Sequence, residues 1–246
     1  MEKTPENVLP YGEGERKRNQ VKSMFDTIAD KYDFLNHFMS FHQDKRWRRK
    51  AILSLKADAP KTILDIATGT GDFAIEAWKC LKPDLIVGAD LSEGMMCVAE
   101  EKVKKAGIEH HFRFEYQDCT ALTFKDNTFD AVTVAFGVRN FEDIAKGLSQ
   151  MHRVLKPGGK MVIIELSRPE KFPMKQLFNL YAVTVLPLAG KLFSKDNMAY
   201  EYLPASIKVV PQSGEMVALI KKQGFVKAEY KHFTFGVCTM YSGIKP

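Results

Sequence analysis

Two hydrophobic rhythms alternate along this chain, a helical one and a series of short apolar runs. From 24 to 41, "MFDTIADKYDFLNHFMSF" sets Phe25, Ile28, Ala29, Tyr32, Leu35 and Phe38 at spacings of three and four. That spacing predicts an amphipathic helix, broken near Asp30. A third helix, carrying the basic cluster, is expected over roughly 43–55. At residue 62 the rhythm changes. "TILDIA" (62–67) reads as a strand running into glycines, and "GDFAIEAWKC" as a helix with Asp72 in its first turn, where a carboxylate suits the dipole. "LIVGAD" (85–90) is a second strand. Ser92 suits the N-cap of a helix over 93–105, which Gly107 stops. "HFRFEYQD" (111–118) and "FDAVTVAF" (129–136) are further strands, followed by a helix over 142–155. "KPGGKMVIIEL" (156–166) is a turn and then a fifth strand, apolar enough to be covered on both faces. The rhythm lapses after 166 and resumes with a helix over 213–225. Strands at 226–233 and 235–243 follow, joined tightly through Thr234-Phe235-Gly236, which predicts an antiparallel edge hairpin.

Strands alternating with helices imply right-handed βαβ units. The expected fold is α/β and Rossmann-like, a seven-stranded and mostly parallel sheet with helices on both faces. Ligands belong at the carboxyl ends of its strands. Residues 1–20 are expected to form a flexible basic arm and 21–246 a single domain, with a helical cap over 21–60 and a lid-like insertion over 168–210. Within the insertion, 176–190 is uncharged but interrupted by Pro187, too short and too broken to span a bilayer. It reads either as a buried core helix or as an apolar lid.

Composition adds little to the fold but narrows the setting. Net charge is +6 over 246 residues, concentrated in Arg16-Lys17-Arg18 and in Lys45-Arg46-Trp47-Arg48-Arg49-Lys50. Such runs fit a solvated helix face or a polyanionic partner, and Trp47 leans toward an interface. Cys80, Cys97, Cys119 and Cys238 are scattered, without metal-ligand spacing. They read as reduced thiols in a cytoplasmic protein that lacks a metal site. His110-His111 reads as a solvated turn. Nothing in 1–20 has the apolar core of a signal peptide.

The chemistry centres on "ILDIATGTGDFA" (63–74). Gly69-x-Gly71-x-x-Ala74, with Asp90 further on, satisfies the loose pattern of dinucleotide binders. Charge argues otherwise. Asp65 ends the first strand and Asp72 begins the helix, where a pyrophosphate would meet two carboxylates at a cost on the order of 1–4 kcal/mol each. Adenosine joined to a cation has the opposite preference, and S-adenosylmethionine, a sulfonium without phosphate, fits it. Asp65 is then expected at the ammonium end. Gly69 and Gly71 allow close backbone approach, and Thr70 offers a hydroxyl and an N–H. Asp90 is expected on the ribose hydroxyls, and Asp118, with the Cys119 backbone beside it, on the adenine.

The stretches "MFDTIADKYDFLN" (24–36), "LDIATGTGDFA" (64–74), "GADLSEGM" (88–95), "DNTFDAVTVAFGVRNFED" (126–143), "RVLKPGGKMVIIELSRP" (153–169) and "GFVKAEYKHFTFGV" (224–237) carry a further signal. Together they resemble the class I methyltransferases and, more narrowly, the demethylmenaquinone/ubiquinone C-methyltransferase family of quinone biosynthesis. The glycine loop and "LKPGG" are shared widely among methyltransferases, whereas "FGVRNF" and the N-terminal pattern are narrow. The resemblance implies cofactor contacts at Thr70, Asp90, Asp118 and Cys119. Where some members carry a serine in the fourth strand, this chain has Ala135.

The resemblance also implies a prenylated naphthoquinol substrate, methylated on a ring carbon to give menaquinol. The equivalent reaction in ubiquinone synthesis, or methylation of another phenolic or lipid small molecule, is the alternative. Arg139, after the fourth strand, is the candidate catalytic residue. It would stabilise a phenolate or orient a water, or else pair structurally with Glu142 or Asp143. Asn140 would position the ring oxygen. Tyr32, Asp33 and Asn36 are candidate pocket residues, and His42 and His152 are candidate bases that also read as structural. The Asn/Asp-Pro-Pro-aromatic run that grips a flipped base is missing, which argues against nucleic acid. A greasy substrate and basic segments together predict peripheral contact with an anionic membrane, on the inner face of the plasma membrane. A homo-oligomer is left open.

Overall fold

The computed structural model describes residues 4–193 and 197–246, and side chains outside 185–201. Seven strands, β1 (Thr62–Ile66), β2 (Leu85–Asp90), β3 (Phe112–Tyr116), β4 (Phe129–Ala135), β5 (Leu155–Leu166), β6 (Val226–Phe233) and β7 (Cys238–Ile244), form one sheet in the order β3-β2-β1-β4-β5-β7-β6. The first five are parallel, while β7 runs antiparallel to both β5 and β6. The helices are α1 (Lys17–Met39), α2 (Gln43–Leu53), α3 (Asp72–Leu81), α4 (Glu93–Lys105), α5 (Ile144–Val154), α6 (Met174–Phe193), α7 (Asn197–Val209) and α8 (Gly214–Lys222).

Alternation along the strands feeds two cores. Leu64, Ile66, Val132, Val134, Met161 and Ile163 face one side, packed with Leu148 and Met151 of α5 and Met216 and Ile220 of α8. Ile63, Ala131, Val162 and Ile164 face the other, against Ala51 and Ile52 of α2 and Phe73 and Ala77 of α3. Side chains of successive strand residues point to opposite faces, so covering both faces requires nearly continuous apolar runs. The strand order reverses between β1 and β4, which opens a crevice at their carboxyl ends. Over this crevice lies α1, with α6 and α7 beside it, and Val21 and Met24 of α1 pack on Tyr202 of α7.

Several expectations change. α1 is unbroken through Asp30, because that residue is exposed and asks nothing of the core. The helix also begins at Lys17, inside the expected arm. Its Lys17 is buried, and its Nζ donates to the Pro5, Arg139 and Phe141 carbonyls. Residues 1–3 of the arm lie outside the described residues. β3 is shorter than 111–118, since residues 109–111 form a 3-10 turn. Trp47 is buried rather than interfacial: its Nε1 donates to Thr234 Oγ1 at 2.8 Å and its ring meets Phe136 edge-on. α6 is no core helix either, because Leu177, Leu180 and Val183 are exposed. The side chain of Pro187 lies outside the described residues.

Candidate active site

Two turns with unusual backbone shape the crevice. Ala67 after β1 and Phe136 after β4 both take left-handed φ, 52° and 59°. Such values cost a non-glycine residue energy and persist where the surroundings over-determine them. Here Gly137 lies so close to Ala67 that an added Cβ would meet the alanine Cβ at 2.6 Å. Gly69 presents the reverse case. Its φ is +55°, and a Cβ built there would meet nothing within 4 Å, so the loop leaves open space above it.

The crevice between these turns is lined by Gly69, Asp90, Asp118, Cys119, Ala135 and Asn140, with Arg18, Phe25 and Tyr32 closing it from α1. Asp90, the last residue of β2, accepts the Gly69 N–H through Oδ2 at 2.7 Å and the Ser92 N–H through Oδ1 at 2.9 Å. It therefore ties the glycine loop to the start of α4. Burial pushes its carboxyl up despite these bonds. Asp118 is also pushed up by burial, but the Thr120 N–H and hydroxyl and the Arg18 guanidinium outweigh this and hold it below the usual range. Arg18 bonds Asp118 Oδ2 at 3.0 Å, so the α1 terminus latches over that side of the crevice. Cys119 is buried, and its thiol is raised by burial and by Asp118, which keeps it neutral and limits its role to the backbone.

Asp65, Thr70 and Gly71 do not line the crevice. Asp65 is 1% exposed, and its two oxygens accept the hydroxyls of Thr133 (2.6 Å) and Thr68 (2.7 Å). The cause is register: Asp65 pairs with Thr133 across β1 and β4 and turns into the α2–α3 face. Burial lifts its carboxyl to about 6 against those two hydroxyls. Thr70 gives its hydroxyl to Asp33 at 2.5 Å, so Asp33 braces the loop from α1 instead of lining a pocket. Gly71 turns into α3 with φ +79° and faces Ala99 of α4.

Asp72 likewise points away. Burial raises it, but Arg48 (3.2 Å) and Lys102 (2.7 Å) outweigh burial and lower its carboxyl. The expected negative ring around the glycine loop is thus half neutralised, and the acids that face the crevice are Asp90, Asp118 and Glu142. His37, Asp44 and Asp72 approach metal-ligand spacing. Arg48 bonds both carboxylates there, so a protein cation already occupies the position a metal would take.

A second, apolar space adjoins the crevice under α1, α6 and α7. Met39, Trp47, Phe136, Phe178, Tyr181 and Leu203 form much of its wall, and Tyr32 borders both spaces. Asn36 lines it as expected. Arg139 stands at its floor, 6% exposed. Its partner is neither Glu142 nor Asp143. Glu165 of β5 takes Arg139 Nη1 at 2.8 Å and also accepts the Arg139 and Leu166 N–H groups. Asp143 instead caps α5 by accepting the Lys146 N–H. Glu165 was overlooked, although a lone acid inside "VIIEL" is the kind of buried charge that demands a partner. His42 is an exposed left-handed residue before α2, and His152 packs edge-on against Phe225, so neither lines the two spaces.

The family model for the ubiE/COQ5 methyltransferase family matches residues 13–245. The chain belongs to this family. It is 53% identical over 240 residues to demethylmenaquinone methyltransferase of Bacteroides fragilis, covering 98% of each chain. To the ubiquinone/menaquinone biosynthesis C-methyltransferase UbiE of Geobacter sulfurreducens it is 43% identical, covering 93% and 90%. The fold of this ubiE/COQ5 methyltransferase recurs at lower identity. Haemonchus contortus phosphoethanolamine N-methyltransferase 2, solved with phosphomonomethylethanolamine and S-adenosylhomocysteine, is 17% identical with a TM-score of 0.65, covering 96% of this chain and 61% of that one. The [4+2]-cyclase SpnF is 16% identical with a TM-score of 0.59, covering 93% and 97%. Likeness at that level shows the fold alone.

Proposed function

We propose that this protein transfers a methyl group from S-adenosylmethionine to a ring carbon of demethylmenaquinol, giving menaquinol. The observation that carries this reading is the 53% identity, over nearly the whole length of both chains, to a demethylmenaquinone methyltransferase. The crevice suits the cofactor on physical grounds. Open space over Gly69 leaves room for its amino-acid end. Asp90 retains lone pairs for ribose hydroxyls after serving two backbone N–H groups. Asp118 faces the adenine side, where it is shared with Arg18. When bound, the cofactor supplies a methyl group activated by a sulfonium.

The remaining work falls to the apolar space. A ring carbon becomes nucleophilic when the adjacent hydroxyl ionises, because the phenolate places charge on the ortho carbon. In the transfer the methyl–sulfur bond breaks, a carbon–carbon bond forms, and the ring hydrogen leaves as a proton, so one proton is released overall. Residues here must align the ring, exclude water and favour the phenolate over a phenol of pKa near 10. Arg139 provides the cation, but Glu165 offsets most of its charge. Its role is therefore directional, through the donors it keeps. The apolar wall excludes water and accommodates a prenyl chain.

α6 and α7 are the lid of this reading, and the exposed side of α6 is its membrane face. No helix among the described residues is long and apolar enough to cross a membrane. A cytoplasmic enzyme resting on the inner face of the plasma membrane would draw its substrate from lipid. The test is direct. Purified protein, S-adenosylmethionine and chemically reduced demethylmenaquinone should yield menaquinone by mass spectrometry after reoxidation. A strain lacking the gene should accumulate the unmethylated naphthoquinone. Turnover of a demethylated benzoquinol alone would move the assignment to the ubiquinone branch.

A further inference from the structure

Three polar atoms between α1 and α7 are buried and lack any hydrogen-bond partner among the described residues: Arg139 Nε, Asn140 Oδ1 and Tyr202 Oη. All three residues line one hollow between α1, α7 and the 138–140 turn, beside the cofactor crevice that Asn140 also borders. A buried polar group left unpaired is costly, so three in one hollow require an explanation. A bound ligand with polar atoms at that point would supply one.

Their chemistry restricts the ligand. Arg139 Nε–H can only donate, since a guanidinium has no acceptor, and the Nη1 pair with Glu165 fixes its orientation. Asn140 Oδ1 can only accept, and its orientation is set by Nδ2 donating to the Phe136 carbonyl at 3.5 Å. Tyr202 is 5% exposed, and burial pushes its phenol well above its ordinary value, so it stays protonated and donates. Two donors beside one acceptor match an aromatic diol, whose oxygens both accept and donate. An oxidised quinone only accepts and would leave Asn140 Oδ1 unpaired.

We propose that Tyr202 hydrogen-bonds a ring oxygen of the bound aromatic acceptor and, with Asn140, selects the reduced diol over the quinone. This rests on the methyl-transfer reading above. Tyr202 positions the ring; it removes no proton.

The experiment compares wild type, Tyr202→Phe and Asn140→Leu with demethylmenaquinol as acceptor and oxidised demethylmenaquinone as competitor. Tyr202→Phe should raise the acceptor KM roughly tenfold while leaving the S-adenosylmethionine KM unchanged. Without substrate its Tm should hold or rise, because the variant deletes a hydroxyl that has no partner among the described residues. In wild type the quinone should compete roughly tenfold more weakly than the quinol binds, and Asn140→Leu should bring that ratio close to one. An unchanged acceptor KM in Tyr202→Phe overturns the proposal whatever Asn140→Leu does. So does a Tm loss in Tyr202→Phe, which would reveal a structural partner for the hydroxyl. If wild type itself fails to methylate the quinol, the functional reading falls and this inference with it. Normal wild-type turnover beside a silent Tyr202→Phe removes this inference alone.

Discussion

Asp65 shows how far a carboxylate's residue number can be from its role. Its position before the glycines suggested a cofactor contact, yet the period of two along β1 sends it into the sheet's other face. Burial raises its carboxyl to about 6 from an ordinary 3.8. A raised native pKa means that the folded state holds its proton longer than the unfolded chain. The stability is therefore whole below pH 4 and is lost as pH climbs through 6, on the order of 2–3 kcal/mol. Urea unfolding of wild type against Asp65→Asn should show this as a difference that grows from pH 4 to 6.5 and then levels. Asp90 makes the opposite case, an acid that faces the crevice as expected. Asp90→Ala removes both the ribose acceptor and the tie to Gly69, so calorimetry with S-adenosylhomocysteine should show affinity falling roughly 10- to 100-fold. Which acids cluster at the strand ends was legible in the sequence. Which way they point was not, because that depends on partners such as Thr133, Arg48 and Lys102 that lie far away along the chain.

Among the elements, α1 departs most from its sequence pattern. Apolar spacing located most of its inner face, although Phe38 is exposed, but said nothing of the polar residues that fasten it. Asp26 accepts from the Ser92 hydroxyl and the Gly94 N–H at the start of α4, and Asp33 holds Thr70. Lys17, expected within a basic run that fits a solvated face or a polyanionic partner, is buried and makes three of these fastenings. Burial lowers it to about 8, so at neutral pH it remains charged and serves the carbonyls of Arg139 and Phe141, on either side of Asn140. Lys17→Met keeps the bulk but strands those carbonyls in a buried position. It should cost about 2–3 kcal/mol in chemical denaturation and raise the KM of the methyl acceptor more than that of the cofactor. Equal effects on both would mean that Lys17 supports the fold generally and not the turn bearing Arg139. The edge hairpin and the five parallel strands were legible because short-range turn chemistry and burial on both faces dictate them. Helix α6 was less so, since a helix that carries apolar residues on its exposed side as well as its inner one has no clean amphipathic period.

At the scale of the whole molecule, the two faces of the covering layer differ. Inward, α6 offers Phe178 and Tyr181 to the apolar space, and the Tyr181 hydroxyl donates to the Met39 carbonyl, joining α6 to the end of α1. Outward it leaves Leu177, Leu180 and Val183 in solvent, with Phe172 just before the helix and Phe235 of the hairpin link across a hollow from it. Arg168, Lys171 and Lys175 are exposed beside them, together with the acid Glu170. Large apolar side chains gathered on one side and rimmed by cations suit an anionic bilayer surface, with each basic residue adding about 1 kcal/mol near the headgroups. A net charge of +6 would orient the molecule before contact. Vesicles containing phosphatidylglycerol should carry the protein upward on flotation at low salt, and less so as salt rises; phosphatidylcholine vesicles should carry little. Replacing Leu180 and Val183 together with glutamate should abolish flotation while sparing turnover of a water-soluble, short-chain acceptor. Because the same helix walls the acceptor space from within, loss of flotation together with loss of that soluble turnover would trace the defect to the lid itself. Flotation that survives the double substitution would place the membrane face elsewhere on the molecule.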